Sequence, residues 1–260
     1  MTAQARNVVN EMTSVLSFLT ILPIPHSSPA GASLHGAARG MYLFPVAGAV
    51  IGLVMGLLAW GLFEAVDPLL AGLAVAAAIL AITGLHHTDG LSDLADGLMA
   101  GGGSYDKKLE AMRDKVTGTA GTAAIVLCVA GMVIVLSRMN EFAALQIVVG
   151  ILLSEMLAKF SMVVMAAAAG HAASGSGSGA LFVQAMKDRR KLMVAALITV
   201  PVVVILGGVV AGMIMLAASV LVPAILICVA GRSFGGITGD VIGASNEMVR
   251  LATLAVFVSV

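Results

Sequence analysis

The sequence predicts an all-α fold: a polytopic transmembrane helical bundle of roughly six to seven spans, preceded by an N-terminal interfacial helix. Three observations predict it. Of the 260 residues, 60% are hydrophobic and only 11% are charged, whereas a soluble domain is about half apolar and about a quarter charged. Mean hydropathy reaches +1.06. Apolar runs of spanning length recur along the whole chain, separated by polar segments. One small core cannot bury that much apolar surface, so lipid must cover the remainder. The chain reads as a single integral membrane domain, 1–260, with an amphipathic segment over 1–40 and an acidic segment over 87–118.

Residues 5–21 alternate apolar and polar at helical spacing, which predicts an amphipathic helix on the membrane surface. Pro23, Pro25 and Pro29 then break the chain. Apolar stretches predict spans at 41–63, 68–86, 119–137, 143–169, 192–210 and 212–230. A seventh run, 237–260, is interrupted by Asp240, Glu247 and Arg250, and is open between a seventh span and a partly interfacial segment. The segment MTAQARNVVNEM carries no signal-peptide pattern, so the first span is expected to serve as its own insertion signal.

Basic residues alternate between the connections. The first connection holds only Glu64 and Asp67, while 87–118 carries Lys107, Lys108, Arg113 and Lys115. Arg138 stands alone in the next, and 170–191 holds Lys187, Arg189, Arg190 and Lys191. Arg6 and Arg39 precede the first span, and Arg232 follows the sixth. By the positive-inside rule the N-terminus and the segments 87–118, 170–191 and 231–247 face the cytoplasm of a cell's inner membrane. Net charge is zero, so nucleic acid is not an expected partner. Cys128 and Cys228 lie within apolar runs, where small core-type residues are expected, not a disulfide or zinc site.

The segment HHTDGLSDLADGLMAGGG, 86–103, places Asp89, Asp93 and Asp96 at i, i+4 and i+7. On a helix, that spacing puts the three carboxylates on one face. Their repulsion would be relieved by a divalent cation, and an all-oxygen donor set favours Mg²⁺ or Mn²⁺. Ordinary capping aspartates are the alternative, but charges this near lipid are costly without a function. Gly101, Gly102 and Gly103 leave backbone N–H groups free to approach a phosphate, with Gly102 the candidate contact. Glu110 and Asp114 follow at i, i+4, and Asp114 extends the candidate metal ligands. Arg113 and Lys115 suit phosphate oxygens.

These residues resemble a family. HHTDGLSDLADGLMAGGG and MRDKVTGTAG (112–121) are similar to paired motifs of the cobalamin synthase, or adenosylcobinamide-GDP ribazoletransferase, family. PVAGAVIG (45–52) and FGGITGDVIGASNE (234–247) resemble its first-span and C-terminal motifs. Thr117 departs from the pattern, which has Ile or Val there. The likeness runs from the first span to the last. It implies a Mg²⁺-dependent enzyme that joins α-ribazole or its 5′-phosphate to adenosylcobinamide-GDP and releases GMP. A looser similarity to CDP-alcohol phosphotransferases covers Asp93, Asp96, Gly97, Ala100 and Asp114, but Gly101 replaces an Arg of that pattern.

Asp240 is expected to complete the site as a catalytic base or by binding the ribazole, with Asp96 as the other catalytic candidate; a helix cap is the plain alternative. Glu155 and Lys159, at i, i+4 inside the fourth span, fit a buried ion pair about as well as substrate contact through Lys159. His86 and His87 rank below the aspartates, as ordinary helix-end histidines. The run beginning at Ser174 reads as a flexible connector. A small-solute transporter is the rival class, but the acids cluster at one membrane face and no inverted repeat is visible. Expected partners are the two substrates and the lipid bilayer, and self-association is compatible with the sequence.

Overall fold

A computed structural model describes residues 3–25, 34–101, 103–170, 173 and 177–260, with side chains from Arg6 onward. Twelve α-helices appear among them: α1 (Ala3–Leu19), α2 (Leu34–Arg39), α3 (Phe44–Phe63), α4 (Pro68–Ile82), α5 (His86–Met99) and α6 (Tyr105–Met112), followed by α7 (Thr119–Arg138), α8 (Ala144–Ala168), α9 (Gly177–Ala185), α10 (Arg189–Gly207), α11 (Val209–Phe234) and α12 (Gly239–Phe257). Five helical stretches are long and apolar enough to cross a membrane: Met41–Phe63, Thr119–Glu141, Ala144–Ala168, Arg189–Gly207 and Val209–Phe234. Each matches a span expected from the apolar runs to within a few residues.

The tightest packing joins α3 to α8. Gly48, Gly52 and Gly56 recur every fourth residue along one stripe of α3. A Cβ at these positions would lie 2.5 Å from the Glu155 carbonyl oxygen, 2.6 Å from the Leu152 Cα and 2.8 Å from the Val148 Cα. Side chains are absent from this seam so that the two backbones can touch, as membrane helices do where lipid offers no hydrophobic drive for association.

The run 68–86 does not continue straight. Asp67 starts α4 by accepting from the Leu69 and Leu70 amides, with Pro68 in the first turn. The helix ends before Gly84 and Leu85, whose φ values are +66° and +62°. These left-handed residues turn the chain, and α5 leaves at 91° to α4. Consequently α5 lies across the end of the bundle and carries the acidic motif out of the span.

The last helix, left open by the sequence between a seventh span and a partly interfacial segment, is not among the five long apolar helices but packs along the bundle. Asp240 lies in the first turn of α12, and the Phe257 ring near its other end sits 5.8 Å from Phe142, just before α8 begins. Thus α12, 19 residues long and so about 28 Å, runs through the bundle from one end to the other. Val241 to Glu247, Val249 and Arg250 are all buried. Its polar residues face neighbouring helices and not lipid, which is where intramembrane charges are tolerated.

The connections expected on a common side do meet. The Tyr105 ring packs at Gly235, the Ala173 amide donates to the Ile237 carbonyl at 2.8 Å, and Gly179 abuts Thr238 and Gly239. Helix α1 joins them. Its Val15 and Leu19 are fully buried, and Phe18 stacks near Phe44 of α3 and Phe182 of α9. The apolar face of this amphipathic helix is therefore partly occupied by protein.

Candidate active site

Helix α5 separates its faces as the spacing predicts. Leu91 and Leu94 are buried, Asp93 and Asp96 are half-buried, and Asp89 is exposed. What the spacing could not show is the approach of α12. A Cβ on Gly90 would lie 2.7 Å from the Asp240 carbonyl oxygen, and one on Gly243 would lie 3.3 Å from the His87 Cα. Two glycines, one per helix, let the backbones cross closely enough to bring Asp240 beside the α5 carboxylates.

Thr238 caps α12 by accepting from the Val241 amide, which sets Asp240 in the first turn. A cavity of about 400 Å³ opens between α1, α5, α8, α9 and α12, and Asp89 and Asp240 both line it. Phe18, Phe182 and Met162 form its apolar side, and His86 and His87 its third.

Asp93 sits between these groups. Burial, then the negative charges of Asp89, Asp240 and Asp96, push its carboxyl up to about 7. Among the described residues none of these four carboxylates forms an ion pair. Negative charge is thus concentrated, offset in part at Asp240 by the Thr238 hydroxyl and the nearby Arg113 charge and at Asp96 by backbone amides. Oxygen-only donors with no thiolate suit a hard divalent cation such as Mg²⁺. In the conformation described, no three His, Cys, Asp or Glu side chains among the described residues are already drawn together around one point.

Asp96 does something the sequence did not suggest. Its two oxygens accept from the Gly118 amide at 2.7 Å and the Gly121 amide at 2.8 Å. These amides belong to the start of α7, whose positive dipole end favours a carboxylate. Asp96 therefore fastens α5 to α7, and a Cβ at Gly118 or Gly121 would collide with it. Each oxygen retains a further lone pair. A second cavity, also about 400 Å³, lies beyond and is lined by Asp96, Asp114, Thr119 and their neighbours. The exposed Asp114 accepts from the Val116 amide at 3.0 Å.

The expected site residues therefore fall into groups. Asp89, Asp93 and Asp240 come together, Asp96 adjoins them, and Asp114 borders the other cavity with Asp96. Arg113 and Lys115 are exposed on the segment between α6 and α7. Gly102 lies outside the described residues, as do His26, Pro29, His171 and the 174–176 part of the serine–glycine run. Lys159 is fully buried and paired with Glu155.

That pair belongs to a larger network that sequence reasoning missed. Arg250 of α12 bonds both Glu155 and Glu247, and Asn246 donates to Glu247 at 3.0 Å. Two carboxylates balance two cations, all at most 1% exposed. The i, i+3 spacing of Glu247 and Arg250 within an apolar run was the available signal. Phe18 and Phe182, which shape the first cavity, carried no signal at all.

A helical membrane protein with a carboxylate-rich cavity at one end is the class that fold and site define. The cobalamin-5-phosphate synthase family model matches residues 11–258, and the chain belongs to that family of enzymes. It is 34% identical to the adenosylcobinamide-GDP ribazoletransferase of Syntrophobacter fumaroxidans, over 93% of this chain and 95% of the relative. The enzyme of the same name from Methanocella arvoryzae is 31% identical, over 97% and 96%. That of Escherichia coli strain K12 is 29% identical, over 93% and 96%. No solved structure matches the chain. The resemblance carried by the four motifs is thereby borne out.

Proposed function

We propose that this protein is a membrane-bound, Mg²⁺-dependent transferase that joins α-ribazole, or its 5′-phosphate, to adenosylcobinamide-GDP. The observation that carries this reading is that Asp89 and Asp240 line one cavity, with Asp93 near enough for both charges to raise its carboxyl, in a chain of this family. A ribose hydroxyl oxygen attacks the phosphorus attached to cobinamide. The new P–O bond forms as the bond to the bridging oxygen breaks, and GMP leaves with that electron pair.

The residues divide the work. Asp240 lines the cavity from a first helical turn and takes the hydroxyl proton; Asp96 is the second candidate for this role. Asp89, Asp93 and Asp96, with Asp114 at the outer edge, would hold Mg²⁺ or Mn²⁺. Such a cation, when bound, neutralises the diphosphate and the charge that develops on the leaving phosphate. Arg113 and Lys115 meet the diphosphate from the exposed α6–α7 segment, with Gly102 as a backbone contact. Lys159 is assigned to the buried network in preference to a substrate contact.

The alternation of basic residues supports placement in the cell membrane with the cavity facing the cytoplasm. A cysteine introduced at Tyr105 tests this, because labelling only from the opposite side would reverse it. The activity is tested with purified protein in liposomes given adenosylcobinamide-GDP, α-ribazole and Mg²⁺. Mass spectrometry should find the phosphodiester-linked cobamide. Unchanged substrates would sink the assignment.

A further inference from the structure

We infer that the cavity beside Asp89 and Asp240 is the nucleoside subsite, and that it takes the aromatic base and ribose of α-ribazole while the corrinoid stays on the open surface. This rests on the reaction proposed above.

Size argues first. About 400 Å³ is at the small end of ligand pockets, which run about 300–1,000 Å³. One nucleoside fits such a space. A corrin macrocycle with its amide arms and an attached guanosine diphosphate does not.

The lining argues second. Phe18 and Phe182 stand 5.3 Å apart at 58°, and Phe182 is held by Phe44 at 5.8 Å. With Met162 they give one wall of aromatic and thioether surface, suited to a flat fused base. Asp240 also lines it as an acceptor for a ribose hydroxyl, and Asp89 joins the nucleoside cavity to the metal-holding carboxylates. No Lys or Arg lines the cavity itself; Arg113 lies near enough for its charge to act on Asp240, so a diphosphate would meet that cation outside the pocket. The exposed cations, Arg113 and Lys115, lie in the α6–α7 segment, whose Asp114 and Val116 border the other cavity.

Seated this way, the nucleoside presents its sugar to Asp240 and its base to the phenylalanines, which orients the attacking hydroxyl toward the cavity mouth.

The test varies both substrates in liposome kinetics for wild type and Phe182→Leu, with melting curves to verify folding. Loss of ring contacts should raise KM for α-ribazole about tenfold while KM for adenosylcobinamide-GDP stays within about twofold. A ring that served packing alone would not separate the two constants. Met162→Phe, which narrows the same space, should act in the same direction. Should both variants fail to fold, equilibrium dialysis of wild type with α-ribazole alone decides: saturable binding that guanosine does not displace supports the inference, and no binding overturns it. A rise confined to the corrinoid KM, or no change in either constant, also overturns it. Wild-type protein that binds the nucleoside but forms no product would instead overturn the proposed reaction.

Discussion

Gly90 of α5 lies directly against the backbone of Asp240 on α12, with room for a hydrogen but not for a methyl group. The acidic motif and the C-terminal motif, about 150 residues apart, are one site because of that contact. Gly90→Ala should force the helices apart, costing about 1–3 kcal/mol of overpacking and most of the turnover. Gly61→Ala, at a position where a Cβ meets nothing within 4 Å, should leave both unchanged or slightly raise stability. Melting temperature and GMP release of the two variants make the comparison.

Asp93 gives a pH dependence with a defined sign. Its carboxyl moves from 3.8 up to about 7 on folding, so the folded chain keeps a proton that the unfolded chain has lost. Without Mg²⁺, its contribution to stability is fully present at low pH and disappears as pH rises through about 7. Cation binding needs the ionised form, so Mg²⁺ affinity should rise over the same window. Asp93→Asn should flatten both profiles, as read by melting curves and metal titration across that range.

Asp96 and Asp93 should separate by readout. Asp96→Ala removes the acceptor for two amides at the start of α7, and should cost about 1–2 kcal/mol together with activity. Asp93→Asn should lose activity while the protein, at neutral pH and without Mg²⁺, melts at or above the wild-type temperature. Thermal unfolding and turnover measured on the same preparations check this.

The buried network should punish imbalance more than absence. Arg250→Met leaves Glu155 and Glu247 facing Lys159 alone and should destabilise by about 3–5 kcal/mol. Adding Glu247→Met restores neutrality around the remaining Glu155–Lys159 pair and should recover part of that loss. The melting temperature of the double variant against the single one measures it.

Leu85 is the one non-glycine residue with positive φ among those described, at the bend that frees α5 from α4. Leu85→Gly should be neutral or stabilising by up to about 1 kcal/mol, and β-branched Leu85→Val should be worse than wild type. Comparison of the three melting temperatures tests the strain.

The sequence made some of this legible and hid the rest for physical reasons. Span positions were readable because lipid demands long apolar runs, and the α5 acidic face because helical spacing is local. The bend at Gly84 and Leu85 was hidden, since a change from apolar to polar residues marks the end of a span but not the angle at which the next helix leaves it. The course of α12 was also hidden, because Asp240, Glu247 and Arg250 make a buried helix resemble a surface one. Asp96 read as a metal ligand, while its bonds to Gly118 and Gly121 depend on how α5 and α7 pack. Glu155 and Lys159 were legible as a pair, but Arg250 reaches them from 95 residues away.

GMP release by the purified protein in Mg²⁺-containing liposomes, with both substrates and with each alone, tests the central claim most directly. GMP should form in step with cobamide, only when α-ribazole and adenosylcobinamide-GDP are both present, and Asp93→Asn should abolish it. GMP released equally fast without the nucleoside, or none with both substrates present, would contradict that claim.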